Sequence, residues 1–164
     1  MNESERLADQ ISVALNGGVE GVRDAWHGPS WKENLQGVPR EAALHRPIPE
    51  AHTIGEIVMH ASAWHDIVRK RLHGETPEIT EAQNWPSGEL KDNQAWALAV
   101  KRLFETGKSL VSTVEKFPPE KLHEKRPGVD GTWYELIIGE LQHVLYHSGQ
   151  VGILKKANVK VAAS

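Results

Sequence analysis

The sequence predicts an all-α fold, a bundle of four helices of about 20 residues each. Three observations predict it. Four stretches carry apolar residues every three or four positions, no stretch alternates as a strand would, and Thr-x-x-Glu capping boxes stand ahead of two of the four. At 164 residues, 39% of them apolar and 25% charged, the chain suits one domain, 1–164, with a full core.

In the first stretch Leu7, Ile11, Leu15, Val19, Val22 and Trp26 recur at helical spacing, so a helix is expected from about Glu3 to Trp26, running through Gly17-Gly18. His27-Gly28-Pro29 ends it. Ser30-x-x-Glu33 has capping-box form and starts a short turn of helix, and Val38 to Arg46 has room for another before Pro47 and Pro49. Trp31 and Leu35 indicate that this connector packs against the bundle.

The second helix opens on the box Thr53-Ile-Gly-Glu56 and runs to about His73-Gly74, with Ile54, Ile57, Val58, Ala61, Trp64, Val68 and Leu72 as its stripe and His60 at the stripe edge. Glu75 to Leu90 reads as a long crossover, broken by Pro77, Trp85-Pro86 and Gly88 and too polar for the core. The third helix shows bundle spacing, Trp96, Val100, Leu103, Gly107, Leu110, Val114 and Phe117, and stops at Pro118-Pro119. Thr132-x-x-Glu135 opens the fourth, which runs to about Ala157 on Trp133, Ile137, Val144, Val151 and Leu154.

The chemistry of the chain is limited by what it lacks. Zero Cys excludes disulfides and thiolate sites, so a transition-metal site must use His, Asp or Glu, and nine His make one feasible. A net charge of -3 supplies no basic footprint for nucleic acid. No apolar run approaches the ~18 residues of a membrane span, and the start MNESERLADQ is acidic where a signal peptide is basic and then apolar, so a cytoplasmic protein is expected. Neither a Gly-rich phosphate loop nor a Gly-x-Ser-x-Gly elbow is present, against nucleotide or serine-esterase chemistry.

His143 and His147 lie four residues apart on the fourth helix, one turn apart on one side, a chelating geometry. Alone the pair means little, since nine His in 164 residues yield about 0.5 such pairs by chance. His60 on its stripe edge reads by default as a hydrogen-bonded packing residue. Glu140, one turn before His143, is a solvated or supporting carboxylate, because the second Glu-x-x-His of a di-metal bundle is absent. Gln150, two turns after His143, either orients a ligand or caps a loop; Trp64, one turn after His60, walls a pocket or is core. His65 points away from His60 and packs, and His27, His45, His52, His73 and His123 sit at loops or helix ends as solvated or capping side chains.

Thr53 to Leu72, TIGEIVMHASAWHDIVRKRL, and Trp133 to Lys156, with its core Gln142-His143-x-x-Tyr146-His147-x-Gly149-Gln150, resemble the two signature helices of the DinB-like family, which includes the YfiT-type proteins. AWHGPSW, RPIPEAHTIGEIV and the Trp85-Pro86 crossover extend the resemblance to nearly the whole chain. It implies an up-down-down-up four-helix bundle, often a homodimer, holding one divalent metal through His60, His143 and His147. Three neutral imidazoles suit zinc or nickel, with iron or manganese as further candidates, and leave a coordination position for water or a substrate atom. The resemblance also implies a metal-dependent hydrolase or a transferase of low-molecular-weight thiols such as bacillithiol or mycothiol, or, alternatively, a non-catalytic metal-binding or stress-response interaction protein. A purely structural bundle with packing His is a third reading. Because the ligands must be neutral, metal binding is expected to weaken below the ordinary His pKa of ~6.5.

Overall fold

A computed structural model describes residues 1–18 and 25–161, with side chains as far as Asn158. The described residues form helices and loops, with no strand beyond one isolated bridge between Lys125 and Thr132. The helices are α1 (Glu3–Asn16), α2 (Trp31–Leu35), α3 (Arg40–Leu44), α4 (Ile54–Leu72), α5 (Glu81–Asn84), α6 (Asn93–Glu115) and α7 (Trp133–Val161), with a 3-10 turn at Pro119–Lys121.

Side-chain caps set where several of these helices begin. Thr53 Oγ1 accepts from the Glu56 N–H at 3.2 Å while Glu56 accepts from the Thr53 N–H at 2.7 Å, and Thr132 with Glu135 repeats the arrangement at the start of α7. Ser30 and Glu33 do the same for α2, and Asp92 caps α6 through the Ala95 N–H.

α1 is shorter than its periodicity suggests. Gly17 adopts φ +93°, a left-handed backbone that ends the helix, and its N–H closes the last turn on the Val13 carbonyl at 2.8 Å. Val19 and Val22 lie outside the described residues, and Trp26 is fully exposed, so it takes no part in the stripe.

α1 and α4 each pack against both α6 and α7, which encloses a core between the four long helices. Leu7, Ile11 and Leu15 of α1 meet Ile57, Val58 and Val68 of α4, Leu103 and Leu110 of α6, and Ile137, Val144 and Val151 of α7. Gly107 permits a close approach at the centre, since a Cβ there would stand 2.7 Å from Leu15 Cδ1 and 3.4 Å from His65 Cε1.

The connectors also fold inward. Trp31 of α2 is completely buried and its indole N–H donates to the Val144 carbonyl of α7 at 2.8 Å. The 75–90 crossover, read from sequence as too polar for the core, ends on buried Leu90, whose carbonyl accepts from Arg40 Nε at 2.6 Å. A polar segment can still contribute single anchors, because burial is decided side chain by side chain.

Candidate metal centre

α4 supplies His60 and α7 supplies His143 and His147. One nitrogen from each ring lies within 4.8 Å of the other two, and His60 Nε2 stands 2.9 Å from His143 Nε2. Three nitrogens bound to one ion at ~2.05 Å are separated by roughly 3.3 Å in tetrahedral geometry, so small ring rotations convert the cluster into a coordination shell.

The outer nitrogens explain why the inner ones converge. His60 Nδ1 donates to the Asn84 carbonyl at 2.6 Å, and His147 Nδ1 donates to Gln150 Oε1 at 2.6 Å. Both partners are acceptors, so each ring carries its proton on Nδ1 and turns a lone pair on Nε2 inward. His143 Nδ1 faces Glu140 Oε2 at 3.5 Å. The 2.9 Å contact is a hydrogen bond onto His60 Nε2 when His143 carries its proton on Nε2, and a cation takes the place of that proton when His143 carries it on Nδ1 towards Glu140; carbonyl and carboxylate are the usual outer partners of metal-bound imidazoles. The donor set therefore fits a divalent ion.

Burial tunes the site. Desolvation lowers the pKa of His60, His143 and His147 to about 4 each, so all three are neutral at pH 7, the state a ligand needs. The same effect drives Glu140 the other way, up to about 7, with His65 and Arg71 opposing it. Glu140 is not solvated. It is 3% exposed, between His143 on one side and His65 Nε2, 3.8 Å from its Oε1, on the other. His65 is fully buried and its Nδ1 bonds Thr106 Oγ1 at 3.1 Å.

Aromatic rings enclose the histidines. Trp85 stacks on His60 with centroids 3.9 Å apart, and His52 stacks on the far face of the arrangement, 3.5 Å from Trp85. Trp64 is half-buried, donates its indole N–H to Asn84 Oδ1 at 2.9 Å and lies 5.5 Å from His143 between centroids. With His143 and Glu140 it lines an open cleft of about 460 Å³. The remaining candidates lie apart: His45 bonds Asn158, His123 lies beside Tyr134, and His27 and His73 are exposed.

Asn84 was invisible to sequence reasoning, since a crossover has no periodicity to single out one carbonyl. His52 likewise read as a helix-end residue, although the nearby Trp85-Pro86 offered a ring to stack on.

A helical protein with a three-histidine cluster between two long helices is the class these observations define. The family model of the DinB superfamily matches residues 30–150, and the chain belongs to that superfamily. No curated protein and no solved structure shows significant similarity to it.

The position of Glu140 makes a paired expectation. Glu140→Gln should lower metal affinity by ~10–100-fold, the usual effect of losing an outer partner. The folded pKa of Glu140 lies above its unfolded value, so its contribution to stability is present at low pH and lost as pH rises from about 4.5 through about 7. At pH 8 the metal-free variant should thus melt no lower than the parent. Metal titration and thermal unfolding of the same preparations check both halves, and a metal-free variant that melts lower would contradict the second.

Proposed function

We propose that this protein is a metal-dependent enzyme of hydrolytic or low-molecular-weight-thiol-transfer type, with His60, His143 and His147 as the ligands of one divalent ion, zinc or nickel. The observation that carries the reading is the convergence of three inward nitrogens without a fourth protein ligand among the described residues. Glu140, the nearest carboxylate, supports His143 from behind at Nδ1 and is not placed to close the shell. A site with three protein ligands and one open position is the catalytic pattern, whereas structural sites are closed. An ion held there supplies Lewis acidity, which acidifies a water or thiol and polarises a substrate oxygen.

The chain's own residues account for the rest of the reading. Asn84 and Gln150 hold two imidazoles in one tautomer, Glu140 faces Nδ1 of the third at 3.5 Å, and Trp85 shields His60 from water. Trp64 and His143 border a cleft in which a small substrate would lie beside the metal centre. The packing of α1 and α4 each against α6 and α7 is that of a four-helix bundle, for which the superfamily resemblance implies the up-down-down-up order.

Elemental analysis of protein purified without a His tag should find about one divalent ion per chain. Chelation should leave the helical circular dichroism signal intact, because the apolar core does not depend on the ion, while lowering the melting temperature. Hydrolysis of a chromogenic ester or conjugation of a small thiol to an electrophile should vanish on chelation and return with zinc or nickel. Metal binding with neither activity across such a screen would favour a binding protein over an enzyme.

A further inference from the structure

The cleft beside His143 carries one guanidinium among the acids Asp130, Glu135 and Glu140. Arg126 lines it together with Trp64 and Glu140, and Arg126 also lines an adjoining cleft of about 280 Å³ in which Arg71 stands. Arg71 comes from the last turn of α4, its guanidinium carbon 5.6 Å from the centroid of the Trp64 ring. Arg126 is held by a loop that closes on itself: its N–H donates to the Gly131 carbonyl at 2.9 Å, and the bridge between Lys125 and Thr132 flanks it. Gly131 has no side chain to displace the guanidinium, for a Cβ there would lie 3.1 Å from Arg126 Nη2.

Both guanidiniums are half-buried, and among the described residues no carboxylate oxygen comes within 4.0 Å of either. Arg126 Nε is shut from solvent without a hydrogen-bond partner. Of the nearby acids, Asp130 pairs with Lys125 at 2.9 Å, Glu135 accepts from the Thr132 N–H at 2.6 Å and feels the Arg126 charge without an ion pair, Glu140 lies between His143 and His65, and Glu75 is exposed. Burial and then the charge of Arg126 push the Arg71 pKa down, with Glu140 opposing the shift from beyond ion-pair distance, as expected of two like charges placed together. Half-buried cations are ordinarily paired, and a guanidinium fork matches the two oxygens of a carboxylate.

We propose that Arg71 and Arg126 form a subsite for the carboxylate of a small organic acid whose remaining atoms lie along Trp64 towards His143. The proposal rests on the reading of the three histidines as the reaction centre, and it names the substrate class for that centre. The apolar wall, with Val68 and Leu136 beside Trp64, suits an acid with a hydrocarbon or aromatic body, and the cleft volume falls in the ~300–1,000 Å³ range of small-molecule sites.

The probes are 3-phenylpropionate, its neutral amide and inorganic phosphate, titrated into the full chain by calorimetry and ligand-observed NMR, both zinc-loaded and metal-stripped. The acid should bind both forms, and the amide should bind at least about tenfold more weakly. Arg71→Gln and Arg126→Gln should each weaken the acid about fivefold or more while metal content stays unchanged. Should a Gln variant lose its helical signal, Arg71→Lys and Arg126→Lys take its place, with the acid-to-amide ratio as the readout. Equal binding of acid and amide overturns the subsite, and so does tighter binding of phosphate. Acid that binds only the zinc-loaded form and ignores both Arg substitutions is a metal ligand, which overturns the subsite and leaves the metal centre standing. Acid binding through the arginines in a protein that takes up no metal supports the subsite and removes the metal reading.

Discussion

Replacing any one of His60, His143 or His147 with Ala should strip the protein of its ion, with a loss of affinity beyond the ~10–100-fold carried by outer partners, because two imidazoles remain where three are needed. His143→Ala is the sharpest case, since it also leaves Glu140 buried without the ring that faces it. Mass spectrometry of metal content on the three single variants decides the matter, and a full metal equivalent in each would sink the assignment. The parent protein should hold its ion down to lower pH than free histidine suggests. Ligands with pKa values lowered to about 4 do not begin to compete with protons at ~6.5, so affinity should stay level from pH 8 to about 5 and fall towards pH 4. The metal-free fold behaves differently over this window. Between about 4 and 6.5 the unfolded chain takes up protons that the buried imidazoles refuse, so stability is lost as pH falls from 6.5 towards 4.

The largest effect on folding should come from Trp31→Ala. The ring is completely buried against the core and bonded to the Val144 carbonyl, so its removal leaves a cavity between α2 and α7 and should cost about 3–5 kcal/mol. That is a large part of the ~5–15 kcal/mol by which a domain of this kind is stable. Trp31→Phe keeps most of the volume and loses the N–H, so it should cost less. Urea unfolding of both variants is the measurement, and a loss under 1 kcal/mol for Trp31→Ala would mean that α2 is a passive connector.

The histidine substitutions test residues that spacing had singled out, whereas Trp31 tests a contact that spacing could only hint at. The difference follows from the range of the forces. Helix existence and helix starts are local: Thr53 with Glu56 and Thr132 with Glu135 satisfy one another across three residues, and the apolar stripes of α4, α6 and α7 repeat within a single helix. The end of α1 at Gly17 is also local, but a doubled glycine is compatible with either continuing or stopping, and periodicity favoured the longer helix. The charge state of Glu140 is not local. Nothing in Glu-x-x-His shows whether a carboxylate faces water or two imidazoles, and Glu140 faces His65 only because α4 brings that ring to it from across the bundle.

The sequence by itself determined the all-helical class, the capped starts of α4 and α7, and the presence of His143 and His147 on one side of one helix, since each depends on residues within two turns of one another. The resemblance of two helices to a known family singled out His60. Only the tertiary structure decided that His60 meets His143, that the Asn84 carbonyl fixes the direction of the His60 lone pair, and that Arg71 stands in a cleft adjoining the one that Arg126 lines beside His143. These depend on contacts between residues up to 83 positions apart, such as His60 with His143, and on which water is excluded when helices pack. Local spacing contains no information about that water, and burial is what keeps the imidazoles neutral, raises the carboxylate and holds the two arginines without a direct ion pair.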